Sequence, residues 1–228
     1  MNERPLHVAI IPDGNRRWAR QKGMKPWEGH IKAGAYDNMK PLFEKAKELG
    51  VKYLSFWGFS TENWKRDKKE VSIIMRLILK GLQEFEEKIE DDKVRFRHIG
   101  RKDRLLKKLV EAMNDLEKKT EKYDGLHVLL CLDYGGRDEI VRAVNKILKD
   151  GKEEIDALEF ESYLDTNGLP DPDLIIRTGG EKRFSGFMPF QSDYAEIYFT
   201  DIYYPDFGAE ELGKAIDEYS RRQRRFGN

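Results

Sequence analysis

The sequence predicts an α/β protein: one domain whose mainly parallel, six-stranded sheet is flanked by helices. Three observations predict it. Six short apolar runs have the length of buried strands, and segments of helical periodicity separate most of them. No repeat, low-complexity tract or Pro/Gly linker divides the 228 residues, so 1–228 reads as a single domain.

The strands are expected at His7–Pro12, Lys52–Gly58, Val94–Ile99, Leu126–Asp133, Asp173–Arg177 and Glu196–Thr200. Helices are expected at about 29–49, 68–90, 102–122, 137–150, 159–167 and 208–225. Segment 102–122 alternates lysines with Leu105, Leu106, Leu109, Val110, Met113 and Leu116, an ordinary amphipathic surface helix. Segment 72–85 differs: Ile73, Ile74, Leu77, Ile78, Leu82 and Phe85 make an apolar arc wider than one sheet contact needs. Periodicity alone reads it as a buried helix; the sharper alternative is the wall of an apolar ligand tunnel.

Composition narrows the function classes. The 42 basic and 42 acidic residues cancel, which argues against generic nucleic-acid coating. A single cysteine, Cys131, excludes a disulfide framework and a multi-cysteine zinc site. No apolar run approaches the ~18 residues of a membrane span, and the first residues lack a signal-peptide layout. The expectation is a soluble, cytoplasmic protein.

In an open parallel sheet, ligands bind beyond the carboxyl ends of the strands. Past the first strand stand Asp13, Gly14, Asn15, Arg16, Arg17 and Trp18. Gly14 allows close backbone approach, the arginines supply forked donors and Asp13 offers a hard oxygen for Mg²⁺; the plainer reading is a turn capping a short helix. Past the second come Ser60, Thr61, Glu62, Asn63, Trp64, Lys65 and Arg66, and past the fourth Asp133-Tyr134-Gly135-Gly136-Arg137. Past the fifth, Arg177, Gly179-Gly180, Lys182, Arg183, Phe184 and Ser185 offer a second anion site. The usual nucleotide-loop fingerprints are absent. His30 follows Gly29 at a helix start and suits phosphate donation, whereas His7, His98 and His127 lie in strand patterns and read as structural. Glu196 opens the sixth strand as a second candidate metal oxygen. The cluster Arg221-Arg222-Gln223-Arg224-Arg225 reads as helix C-terminal cations or as an arm reaching a partner's anionic site.

Taken together, DGNRRWA at 13–19, GH at 29–30, FSTENWKR at 59–66, DYGGR at 133–137, RTGGEKRFS at 177–185, YAE at 194–196, PDF at 205–207 and RRFG at 224–227 resemble the cis-prenyltransferases. The resemblance spans about residues 7–227. It implies a homodimer that extends an allylic diphosphate (farnesyl or geranylgeranyl) with isopentenyl diphosphate, giving a long Z-polyprenyl diphosphate for a glycosyl-carrier lipid. It implies Mg²⁺ on Asp13 and Glu196, with Gly14, Asn15, Arg16, Arg17, His30 and Arg66 on the allylic diphosphate. Arg177, Arg183 and Ser185 would take isopentenyl diphosphate. The motif Arg225-Phe226-Gly227 would reach the partner's site. Asn63 matches a position sometimes assigned as proton acceptor; a neutral amide is a poor base and is expected to orient a group. With the family in view, helix 72–85 becomes the tunnel wall, and Gly58, just before Phe59, leaves room near the strand end.

Such a product is membrane-destined, so transient association with the inner membrane surface is expected. Nucleic acid is not. Three departures stand out: Pro26 replaces a family arginine, so that one diphosphate anchor is missing or is replaced by neighbouring Lys25; an extra residue follows Gly29-His30; Asp133 replaces an asparagine. The alternatives are prenyl transfer to a different acceptor and a non-catalytic subunit of a heteromeric enzyme.

Overall fold

The computed structural model describes residues 4–222. Its six strands are β1 (His7–Ile11), β2 (Tyr53–Ser60), β3 (Arg95–Ile99), β4 (His127–Tyr134), β5 (Leu174–Arg177) and β6 (Glu196–Phe199). All pair in parallel, in the order β3-β4-β2-β1-β5-β6. The inner strands β1, β2, β4 and β5 read as mostly apolar runs because both their faces are covered, whereas edge strand β3 alternates Arg95 and Arg97 with Phe96 and His98. Val8 and Ile10 of β1 enter the larger core, while Ala9 and Ile11 point to the smaller core on the other face.

The helices are α1 (Asn15–Gln21), α2 (Pro26–Gly34), α3 (Tyr36–Glu48), α4 (Lys68–Asp92), α5 (Lys107–Thr120), α6 (Gly136–Lys149), α7 (Ala157–Ser162) and α8 (Ala209–Arg221). The single helix expected over 29–49 is two. The chain breaks at Ala35, whose ψ of 135° is extended, so α2 can lie against α1 while α3 packs on α8. Helix α5 starts at Lys107 rather than 102, because the preceding residues turn inward: Lys102 reaches Glu117 and Arg104 reaches Asp133. Helix α7 stops at Ser162, short of the expected 167. Helix α4 is long and well started: the Asp67 carboxylate accepts from the Lys69 and Glu70 amides. Among the described residues, no helix is long and apolar enough to cross a membrane.

The strand order fixes where a ligand can bind. The chain moves from β1 to β2 on one side and returns to β5 on the other, so the topological switch lies between β1 and β5. Their register pairs Ile11 with Arg177. The residues just beyond, Asp13 and Thr178, therefore meet at the carboxyl edge.

Candidate active site

Asp13 is held from several directions. Its amide donates to Thr178 Oγ1 at 2.9 Å, and Thr178 Oγ1 lies 2.8 Å from the Asp13 carbonyl. Asp13 Oδ1 accepts from the Gly14 amide at 2.6 Å and lies 3.4 Å from Arg17 Nη2. Asp13 Oδ2 accepts from Arg177 Nη2 at 2.9 Å. Gly14 sits at φ 95°, and a Cβ there would stand 2.4 Å from the Tyr203 ring. The same Tyr203 ring lies 5.4 Å from the Arg17 guanidinium. Thr178 and Glu181, which lies 3.7 Å from Arg17, enter the sequence reading only within the 177–185 motif and with no role of their own, and Tyr203 is not singled out. Thr178 directly follows β5, so the strand-end rule reaches it, but nothing local marks its hydroxyl as the group that fixes the Asp13 backbone.

Arg177 is buried and forks three ways. Besides Asp13, its Nη1 donates to Ser185 Oγ at 2.8 Å and to the Arg183 carbonyl. The Arg183 side chain is exposed and pairs with Glu181 at 2.5 Å, while Phe184 packs into the smaller core. The predicted second anion loop thus folds back onto the first.

Arg16 and Arg66 form the other cationic group. Glu70, at the start of α4, lies 3.5 Å from Arg16 and 3.6 Å from Arg66. No local signal marks Glu70; only the fold brings it there. His30 is held neutral, its pKa lowered to about 4 by burial first and then by Arg66 and Arg16. Its Nε2 is buried without a hydrogen-bond partner, as is Asn15 Oδ1. Gly29 must be glycine, since a Cβ would stand 2.0 Å from the Asn15 carbonyl.

Asn15 and His30 also line an apolar cavity of about 150 Å³. Ile74, Leu77, Ile78 and Leu82 of α4 form one wall, and Gly58 and Leu130 of the sheet lie opposite. The wide apolar arc seen in the sequence faces this space.

Other candidates sit differently. Ser60, Thr61, Glu62, Asn63 and Trp64 form the end of β2 and a 3₁₀ turn over Thr61–Lys65. Asn63 Oδ1 accepts from the Ser60 amide at 3.2 Å, and Thr61 Oγ1 donates to Glu62 at 2.9 Å. Trp64 Nε1 donates to Asp133 Oδ1 at 2.7 Å, and Arg104 clasps the same buried carboxylate. Trp18 is buried, and Lys25 is exposed with its ammonium 5.3 Å from the Trp27 ring. Glu196 does not join Asp13 within one chain. It opens β6 opposite Leu174, three positions and about 10 Å along the strand from the Arg177 edge. There it pairs with Arg222 at 2.7 Å. Arg225 and Gly227 lie outside the described residues.

A switch-point cleft ringed by guanidinium groups, opening onto an apolar cavity, defines an α/β protein with room for a ligand that has an anionic head and a hydrocarbon body. Comparison with known proteins narrows the class. The family model described as putative undecaprenyl diphosphate synthase matches residues 11–227. An isoprenyl transferase of Aquifex pyrophilus is 46% identical, covering 98% of this chain and 96% of its own. The Pyrococcus horikoshii protein named tritrans,polycis-undecaprenyl-diphosphate synthase (geranylgeranyl-diphosphate specific) is 42% identical, covering 98% and 87%. The crystal structure of lavandulyl diphosphate synthase from Lavandula x intermedia, in complex with dimethylallyl diphosphate, superposes with a TM-score of 0.93 at 38% identity, covering 98% of both chains. This chain belongs to the undecaprenyl diphosphate synthase family and is a prenyl transferase of the cis type.

Proposed function

We propose that this enzyme condenses isopentenyl diphosphate with farnesyl or geranylgeranyl diphosphate and so builds a long Z-polyprenyl diphosphate for a glycosyl-carrier lipid. One observation carries the reading: Asn15, which opens α1 just past Asp13, and His30, beside Arg16 and Arg66, both line the cavity whose wall α4 builds from hydrocarbon. A diphosphate head and a prenyl tail have adjoining places there.

The chemistry needs charge control more than covalent help. The allylic C–O bond breaks with its electrons going to diphosphate, the alkene of isopentenyl diphosphate forms the new C–C bond, and a proton is lost. Arg16, Arg66 and neutral His30 hold the departing diphosphate, and Arg177, Arg183 and Ser185 hold the second substrate. Donors fixed in place before the reaction stabilise the leaving anion without reorganising. Asn63 spends its carbonyl on the Ser60 amide, which supports an orienting role over that of a base. Each CH₂ buried in the apolar cavity contributes about 0.8 kcal/mol, which favours chain growth along it.

The residues present fit Mg²⁺, which Asp13 would hold. Asp13 is one carboxylate at the cleft, and among the described residues no three acidic, histidine or cysteine groups are arranged for a metal. One carboxylate plus substrate oxygens and water is a normal Mg²⁺ environment. When bound, the ion neutralises charge on the leaving diphosphate. Glu196, at the far edge on strand β6, would add a ligand only across a subunit boundary, which makes the homodimer part of this reading. Work at the cytoplasmic membrane face is the setting the product's solubility requires.

A second reading, prenyl transfer to an acceptor other than isopentenyl diphosphate, is favoured by Pro26 and by the likeness to lavandulyl diphosphate synthase. Purified enzyme given an allylic primer with either isopentenyl or dimethylallyl diphosphate, each labelled and supplied alone, separates the two by which acceptor is incorporated. Products growing in five-carbon steps only with isopentenyl diphosphate support the first reading.

A further inference from the structure

Helix α2 has two apolar sides with different neighbours. Its His30, Ala33 and Gly34 line the cavity. On its outside, Trp27 and Ile31, one helical turn apart, are 37% and 46% exposed, and Met24 just before the helix is 39% exposed. Three large apolar side chains within eight residues of a chain otherwise rich in charge form a patch rather than scattered surface hydrophobics.

The charge around this patch is one-sided. Residues 20–32 carry Arg20, Lys22, Lys25 and Lys32 against the single carboxylate of Glu28, in a chain of zero net charge. Glu28 turns its carboxylate to the Lys25 amide at 2.6 Å, and His30 stays neutral. Lys22 lies over the Trp18 ring, 4.0 Å from Asp206, and Lys25 over the Trp27 ring. Long cationic side chains beside an exposed tryptophan match the water–lipid boundary, where hydrocarbon inserts and ammonium groups meet phosphate heads.

We propose that Met24, Trp27 and Ile31, with Arg20, Lys22 and Lys32, form the surface by which this enzyme docks on an anionic phospholipid bilayer. The proposal rests on the polyprenyl reading, since it places the apolar cavity one helix away from the lipid that would receive the product. Gly34 and Gly81 supply the close approach: a Cβ on Gly81 would stand 3.1 Å from the Gly34 carbonyl, so α2 and α4 meet there with little side-chain bulk.

The test is co-sedimentation of the full chain with phosphatidylcholine vesicles, with and without about 30% phosphatidylglycerol. The wild type is expected to partition at least about tenfold more strongly onto the anionic vesicles, and Trp27→Ser/Ile31→Ser to lose at least about tenfold of that binding. The single Lys32→Glu variant should lose several-fold and respond to salt. Unchanged sedimentation of the double variant, or equal binding to neutral vesicles, overturns the proposal. Sedimentation velocity run alongside excludes a second copy as occupant: dissociation of an oligomer in the double variant would make the patch a subunit contact and also overturn it. Primer extension without vesicles is read separately. Vesicle binding by an inactive wild type would sink the polyprenyl reading while leaving the docking surface standing.

Discussion

Arg177 Nη2 donates to Asp13 Oδ2 over 2.9 Å, linking the loop after β1 to the last residue of β5 across the topological switch of the sheet. The guanidinium is buried and its Nε has no partner, while about a third of the Asp13 side chain remains exposed. The carboxylate is therefore oriented from the protein side and open toward the cleft.

Asp13→Ala should lower the condensation rate at least about a hundredfold while leaving the fold intact, because the leaving diphosphate loses its metal-assisted stabilisation. Arg177→Lys keeps the charge but not the fork that serves Asp13, Ser185 and the Arg183 carbonyl together, and about a tenfold loss is expected. Steady-state rates with circular dichroism as a folding control check both. Near-normal turnover in Asp13→Ala removes this carboxylate from the mechanism.

The Asp133 carboxylate is fully buried, clasped by Arg104 and receiving the Trp64 indole N–H. Arg104→Leu leaves that charge uncompensated and should destabilise by about 3 kcal/mol. Asp133→Asn keeps an acceptor for Trp64 and should cost only about 1 kcal/mol. Urea unfolding of the two variants measures the difference, and equal losses would contradict it.

Acid should weaken the fold between about pH 6.5 and pH 4. His7 and His30 both have pKa values lowered to about 4 by burial, so the unfolded chain binds protons in this window that the folded chain refuses. Stability thus rises with pH across it and levels off above the usual histidine pKa. His7 lies 2.8 Å from the Pro170 carbonyl through Nδ1 and 2.7 Å from Ser55 Oγ through Nε2, an arrangement that suits the neutral ring. In His7→Gln the slope of unfolding free energy against pH should fall by about one proton. An unchanged slope counts against the assignment.

Leu77 is half-buried and faces the cavity. Leu77→Trp should shorten the product by at least one isoprene unit while the first condensation proceeds within about threefold of wild type. Chromatographic sizing of the hydrolysed products decides it, and an unchanged length distribution places chain growth elsewhere.

Much of this was legible because the four inner strands are covered on both faces and therefore read as mostly apolar runs. The loops holding Asp13, Arg66 and Arg177 were legible because a parallel sheet puts strand ends on one edge. Relationships between distant elements were not. Glu70 reaches Arg16 only through the placement of α4, and Arg104 reaches Asp133 only because α5 starts late. Glu196 shows the rule's other side: a residue that opens a parallel strand lies at the opposite edge from those that follow one. The break at Ala35 has only Gly34 as a local signal, too weak alone to split the helix; it follows from the two partners, α1 and α8, that the flanking helices meet.

The most direct test of the whole account is extension of farnesyl or geranylgeranyl diphosphate by labelled isopentenyl diphosphate, with and without Mg²⁺, followed by product sizing. The account predicts a metal-dependent series of Z-prenyl diphosphates lengthening by five carbons and absent in Asp13→Ala. No extension of any allylic primer by the wild-type enzyme, or equal extension without divalent metal, would contradict it.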